Sequence, residues 1–296
     1  MVNVDGVFSG GGVKALAFIG AVEELQSQGY VFRRAAGTSA GAILAALTAS
    51  GYTAEEIKSR LMSMSFEELI HIPLTDRVFP FMKWLFLYYR LGLYNGAQME
   101  TVLAQWLEEK GVRTFADLRP GSLKIICSDL TLGRIVVLPD DLKSTYGIDP
   151  ATFSVAKAVR MSSSLPYFFI PVKIHGKRGK SVIVDGGVLS NFPLWIWEKQ
   201  DGCRKRPVIG LKLSDEPDKL PEQKIRNAIQ MFHALFKTMQ RAHDSRYISK
   251  SISKDILFIP VSGIETTDFH MTHEEKEHLM NYGRQHALEF LKRWTK

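Results

Sequence analysis

Two cysteines among 296 residues cannot staple a fold together. Cys127 and Cys203 lie far apart, outside any CxxC pattern and away from clustered histidines. Neither a disulfide framework nor a thiolate metal site has support, and two reduced thiols are expected. No uncharged apolar run is long enough to span a bilayer. The N-terminus lacks the basic, apolar and cleavage regions of a secretory leader, which predicts a cytoplasmic protein. Repeats, low-complexity segments and long linkers are absent as well, so one domain over 1–296 is expected. Acid is in short supply: 31 Asp and Glu stand against 38 Lys and Arg, a net charge of +7. A basic chain suits nucleic acid or an anionic membrane. The bases are scattered, apart from Lys177-Arg178 and Arg204-Lys205-Arg206, and no basic recognition helix or RNA-binding aromatic motif accompanies them. No nucleic-acid partner is expected.

What remains is an ordinary globular composition, 45% hydrophobic and 23% charged, with length enough for a large core. Apolar runs at Val4 to Phe8, Tyr30 to Phe32, Leu123 to Ser128, Arg134 to Leu138, Val172 to Ile174, Ser181 to Val184, Val208 to Leu213 and Ile256 to Val261 read as strands. Helices are predicted from Lys14 to Gln28 with Gly29 as C-cap, after the elbow described below, from a capping box at Thr53, from Asp149-Pro150 to about Ser163, and after Thr272. Strands alternating with helices, several of them apolar throughout, predict a three-layer α/β/α protein with a mostly parallel central sheet.

Chemistry concentrates at three places. Gly37-Thr38-Ser39-Ala40-Gly41 has the GxSxG pattern of a nucleophile elbow, a sharp strand-to-helix turn that exposes its serine. Gly37 and Gly41 free the turn of Cβ atoms on both sides. Ser9-Gly10-Gly11-Gly12-Val13-Lys14 joins a strand to a helix and leaves bare N–H groups at a helix start. Such a loop suits an oxyanion. It also fits a loose dinucleotide pattern, but the acidic residue that would hold a ribose is missing from Tyr30 to Ala36. Asp185-Gly186-Gly187 follows an apolar run. It reads either as a hairpin turn or as the site of a buried base, since an aspartate raised toward neutrality can deprotonate a serine directly. The eight histidines sit in no catalytic-loop motif. For a Ser-His-Asp triad the candidates are His243, His270 and His286.

The Gly-rich loop with its lysine, the GxSxG elbow and the Asp-Gly-Gly sequence together resemble the patatin-like phospholipase family. Cys127 through Arg134 resembles its strand-turn-strand, Ser162-Ser163-Ser164-Leu165-Pro166 its serine-rich segment, and Asp185 through Pro193 its extended aspartate region. The likeness is specific over about 4–193 and weaker beyond. Ala15 departs from the family's usual glycine. The resemblance implies a lipid acyl hydrolase with a Ser-Asp dyad and no cofactor: Ser39 as nucleophile, Asp185 as base, and Gly10, Gly11 and Gly12 as oxyanion loop. Lys14, Gly37, Gly41, Gly186 and Gly187 support these motifs. A phospholipid or other acyl-ester substrate is implied, with peripheral contact at a lipid interface. The stretch from Arg77 to Tyr94 holds seven aromatic residues and no acid, which suits either insertion at a lipid surface or a cap over an acyl pocket. A degenerate, inactive membrane-surface protein is the reading from another class.

Overall fold

The computed structural model describes residues 1–66, 87–177, 179–198, 204–213, 253–261 and 268–294, with isolated residues at 225–226, 231, 234–235, 238–239, 242–244, 263–264 and 266. The first strand, β1, spans Val2–Phe8, and a 3₁₀ turn over Gly12–Ala15 leads into helix α1, Leu16–Ser27. The predicted α-helix thus begins two residues late, because the glycines tighten its entry into a 3₁₀ turn. Gly29 closes it with φ +82°, a conformation that costs glycine little. Strand β2, Tyr30–Thr38, runs directly into α2, Ala40–Ala49. Helix α3, Ala54–Ser63, opens with the capping box at Thr53 and Glu56.

Then come β3 (Gly92–Tyr94), α4 (Ala97–Glu109), β4 (Leu123–Asp129) and β5 (Arg134–Leu138). The helix expected from Asp149 to Ser163 is two elements. Asp149 caps a 3₁₀ turn over Pro150–Thr152, and Ser154 restarts the chain as α5, Val155–Ser162. Each cap accepts a backbone N–H, so two start signals in a row divide the segment. Strands β6 (Tyr167–Phe169), β7 (Val172–Gly176), β8 (Gly179–Asp185), β9 (Val208–Lys212) and β10 (Ile256–Phe258) precede the last helix, α6, His273–Arg293, capped by Thr272.

The main sheet runs β10-β9-β1-β2-β4-β8-β7, with β5 also on β4. Strands β10, β9, β1, β2 and β4 are parallel, while β5, β7 and β8 join antiparallel. Both faces are covered. Phe8 and Ala35 join one apolar cluster and their chain neighbours Val7 and Ala36 another, as the two-residue period of a strand demands. Phe8 packs Phe18 and Phe32 on the first face; Phe192, Leu194 and Trp197 fill the second. Helix α6 returns to α1 at two glycines. A Cβ on Gly20 would sit 1.8 Å from the Met280 carbonyl oxygen, and one on Gly283 1.8 Å from that of Ala17.

One register places the site. On β4, Ile126 pairs with Thr38 of β2 and with Val137 of β5, while Cys127 pairs with Asp185 of β8 and with Val136 of β5. Since β5 fills one edge, β2 and β8 share the other. Strand β2 runs parallel to β4 and β8 antiparallel, so their C-terminal ends meet head-on between adjacent residues of β4.

Candidate active site

Thr38 and Asp185 are the last residues of those two strands, and Ser39 is the next residue after Thr38. Ser39 has φ +57° and ψ −128°, a region that a side chain resists. The surroundings impose it. A Cβ on Gly37 would lie 2.2 Å from the Gly41 carbonyl oxygen, and one on Gly41 would lie 2.4 Å from that of Phe8. The turn therefore closes only where both positions lack side chains, as the GxSxG pattern predicts. The Ser39 N–H donates to Ser162 Oγ at 2.9 Å, and that hydroxyl donates to the Ile126 carbonyl at 2.6 Å. Thr38 Oγ1 donates to the Ser190 carbonyl at 3.0 Å, tying the elbow to the chain beyond Asp185.

Asp185 does not sit in a hairpin. It ends β8 and caps a 3₁₀ turn over Gly186–Val188, accepting the Gly187 N–H at 2.7 Å. Its own N–H donates to the Ser164 carbonyl at 2.9 Å. A Cβ on Gly186 would lie 2.2 Å from the Ile126 carbonyl oxygen, so glycine is needed for the turn to pass β4. The carboxyl is buried at 3% exposure. Burial pushes its pKa up to about 6, against the opposing pull of hydrogen bonds from the Ser39 hydroxyl and the Gly187 N–H. A carboxylate near 6 is ionised at neutral pH yet basic enough to take a proton.

The glycine loop approaches from β1. A Cβ on Gly10 would meet Asn191 Oδ1 at 2.4 Å and Ser39 Cβ at 3.2 Å, so the loop lies against the serine. The expectation of three loop donors needs a correction. Gly10 N–H donates to the Asn191 carbonyl at 3.1 Å, which leaves Gly11 and Gly12 as the open N–H groups of the loop among the described residues. Lys14 turns its ammonium to the Val261 carbonyl, 3.2 Å away.

Two of the histidines named for a triad, His270 and His286, bond elsewhere. His286 Nδ1 lies 3.0 Å from the Tyr282 carbonyl on α6, and His270 is exposed beside Asp268. No described histidine is among the groups that set the Asp185 pKa; His71 and His233 lie outside the described residues. Cys127 is a buried free thiol next to the site, and burial followed by the nearby Asp185 charge pushes its pKa well up. Cys203 lies outside the described residues.

Of the aromatic segment Arg77 to Tyr94, positions 77–86 lie outside the described residues. Its end exposes Tyr88 and Tyr89, at 76% and 72%. Gly92 then pairs with the exposed Tyr167, three residues after Ser164. Among the described residues no helix is long and apolar enough to cross a membrane.

The supporting side chains that sequence reasoning missed are Ser162, which receives the Ser39 N–H, and Arg160. The buried Arg160 guanidinium donates to Ser164 Oγ and, at 2.8 Å, to the Ile170 carbonyl. The serine-rich segment was visible, but nothing local says which serine faces the elbow.

The model of the patatin-like phospholipase family matches residues 6–196. The chain is 48% identical over 292 residues to the uncharacterized protein YqhO of Bacillus subtilis, with 99% of each covered. The structure of VipD from Legionella pneumophila aligns with a TM-score of 0.54 at 16% identity, over 98% of this chain and 67% of that one. The type III effector ExoU of Pseudomonas aeruginosa aligns with a TM-score of 0.52 at 18% identity, over 99% of this chain and 54% of that one. These two likenesses speak for the fold alone.

Proposed function

The chain belongs to the patatin-like phospholipase family, and on that premise we propose that it is a lipid acyl hydrolase of the phospholipase A type. Ser39 is the nucleophile and Asp185 its base. The Asp185 carboxylate takes the hydroxyl proton as Ser39 Oγ bonds to the ester carbonyl carbon. The N–H groups of Gly11 and Gly12, with that of Ala40 at the start of α2, hold the oxyanion. The ester C–O bond then breaks, and the alcohol or lysolipid leaves with the proton that Asp185 carried. Asp185 next takes a proton from water as that water attacks the acyl-serine. Fatty acid leaves and Ser39 regains its proton.

The observation that carries this reading is the meeting of β2 and β8 on one edge of β4, which sets Ser39 against a buried carboxyl whose pKa burial raises to about 6. The exposed Tyr88, Tyr89, Leu91 and Tyr167 support docking of this face on a lipid surface, where tyrosines favour the headgroup level. The packing of α6 on α1 supports reading 1–296 as one domain.

Intact-mass spectrometry after a fluorophosphonate lipid probe tests the mechanism. One adduct at Ser39 is expected, absent from Ser39→Ala and strongly slowed in Asp185→Asn. Full labelling of Asp185→Asn would remove the aspartate from the mechanism, and loss of labelling in His243, His270 or His286 variants would install a triad. No adduct on the folded wild-type protein would favour the binding-protein reading.

A further inference from the structure

The end of the sheet opposite Ser39, where β2, β4 and β9 begin, carries a basic cleft. Its origin is a slip in strand pairing: Val4 faces Phe32 and Asp5 faces Arg34, which leaves Arg33 as an extra residue in β2. Such a bulge re-aims side chains, and both arginines line one cavity of about 260 Å³. Arg119 and Ser122, just before β4, and Lys205 and Arg206, just before β9, complete the wall; among the described residues no acidic one lines it. Asp5, buried alongside, is ion-paired with both Arg34 and Arg206, so among the described residues one negative charge stands against five positive ones.

Two polar atoms of the wall have no hydrogen-bond partner among the described residues: Arg34 Nε and Ser122 Oγ. Ser122 is only 5% exposed. A buried polar group left unmatched is costly, and native folds keep few. Both belong to one cleft. The Arg34 guanidinium also lies 4.3 Å over the Trp197 ring, which fixes its plane before any ligand arrives.

We propose that this cleft binds a phosphate monoester or pyrophosphate group. A dianion with several acceptor oxygens matches guanidinium forks, an ammonium and a hydroxyl converging on one cavity. A carboxylate carries one charge and two oxygens and would leave most of the wall unmatched. The group arrives either on a soluble phosphorylated compound or on a phosphorylated lipid headgroup. From Arg34 to Ser39 is five residues along β2, roughly 16 Å at strand rise, so the cleft is separate from the esterase site and independent of its chemistry.

Calorimetric titration with pyrophosphate and with inorganic phosphate tests the cleft. Co-sedimentation with phosphatidylcholine vesicles, with and without phosphatidylinositol 4-phosphate, tests the source. Wild type and Ser39→Ala should bind one pyrophosphate alike. The double variant Arg119→Glu with Lys205→Glu changes two exposed positions and should weaken binding at least about tenfold. Ser122→Ala should weaken it less. Sedimentation with the phosphorylated vesicles, reversed by pyrophosphate, would identify a lipid headgroup; pyrophosphate binding without sedimentation would identify a soluble ligand. The proposal fails if neither probe binds, or if the double variant, folded by circular dichroism, binds as wild type does.

Discussion

Ser39 keeps a backbone conformation that glycine tolerates and other residues resist, at φ +57° and ψ −128°. Strain of this kind costs about 1–3 kcal/mol. Ser39→Gly should therefore be more stable than Ser39→Ala by about 1 kcal/mol or more, though both lose the nucleophile; chemical denaturation of the two variants measures it. Asp185 carries a second conflict. Its pKa is raised from 3.8 to about 6 by burial, so folding favours the neutral acid. That contribution is complete below the unfolded value and is lost as pH rises through about 6. The shift corresponds to about 3 kcal/mol. Asp185→Asn should match wild type in stability at low pH and exceed it above neutrality, as paired thermal melts across pH would show. Activity should move the opposite way in wild type, with kcat/KM rising through about pH 6 as the base ionises. Equal pH dependence of stability in both proteins would contradict the assignment.

Among the elements, the elbow depends on its neighbour α5. Ser162 gives Ser39 N–H its acceptor and donates onward to Ile126. Ser162→Ala strands both groups and should destabilise the protein by about 1–3 kcal/mol while lowering kcat more than it raises KM. Urea unfolding and steady-state kinetics would separate a positioning role from simple loss of stability. The elbow itself was legible in sequence because glycine, serine and glycine fix the turn locally. Ser162 was not, because its contact joins positions with no shared spacing. The division before α5 was readable in principle, since Ser154 is a cap signal as plain as Asp149. Strand β2 outran its apolar stretch for another reason: Ala35, Ala36 and Gly37 have weak strand preference, yet the flanking β1 and β4 hold them in register.

For the whole molecule, alternation of strands and helices announced the layered architecture, whereas strand order was hidden. No pattern in the sequence says that β2 and β8 share an edge of β4, because that is decided by long-range pairing. The closing of α6 onto α1 is equally nonlocal and leaves no room. A side chain at Gly283 would drive into the Ala17 carbonyl, so Gly283→Val should cost about 3 kcal/mol and lower the melting temperature. An unchanged melting curve would show that α6 is dispensable to the core and would count against one cooperative domain.

The shared edge of β4 also sets an order of events during synthesis. The glycine loop and the elbow leave the ribosome early, while the aspartate follows much later in the chain. Until β8 seats beside the end of β2, a growing or truncated chain holds the proposed nucleophile without its base. On the proposed mechanism, a chain that ends before Asp185 lacks its base and should not hydrolyse an ester.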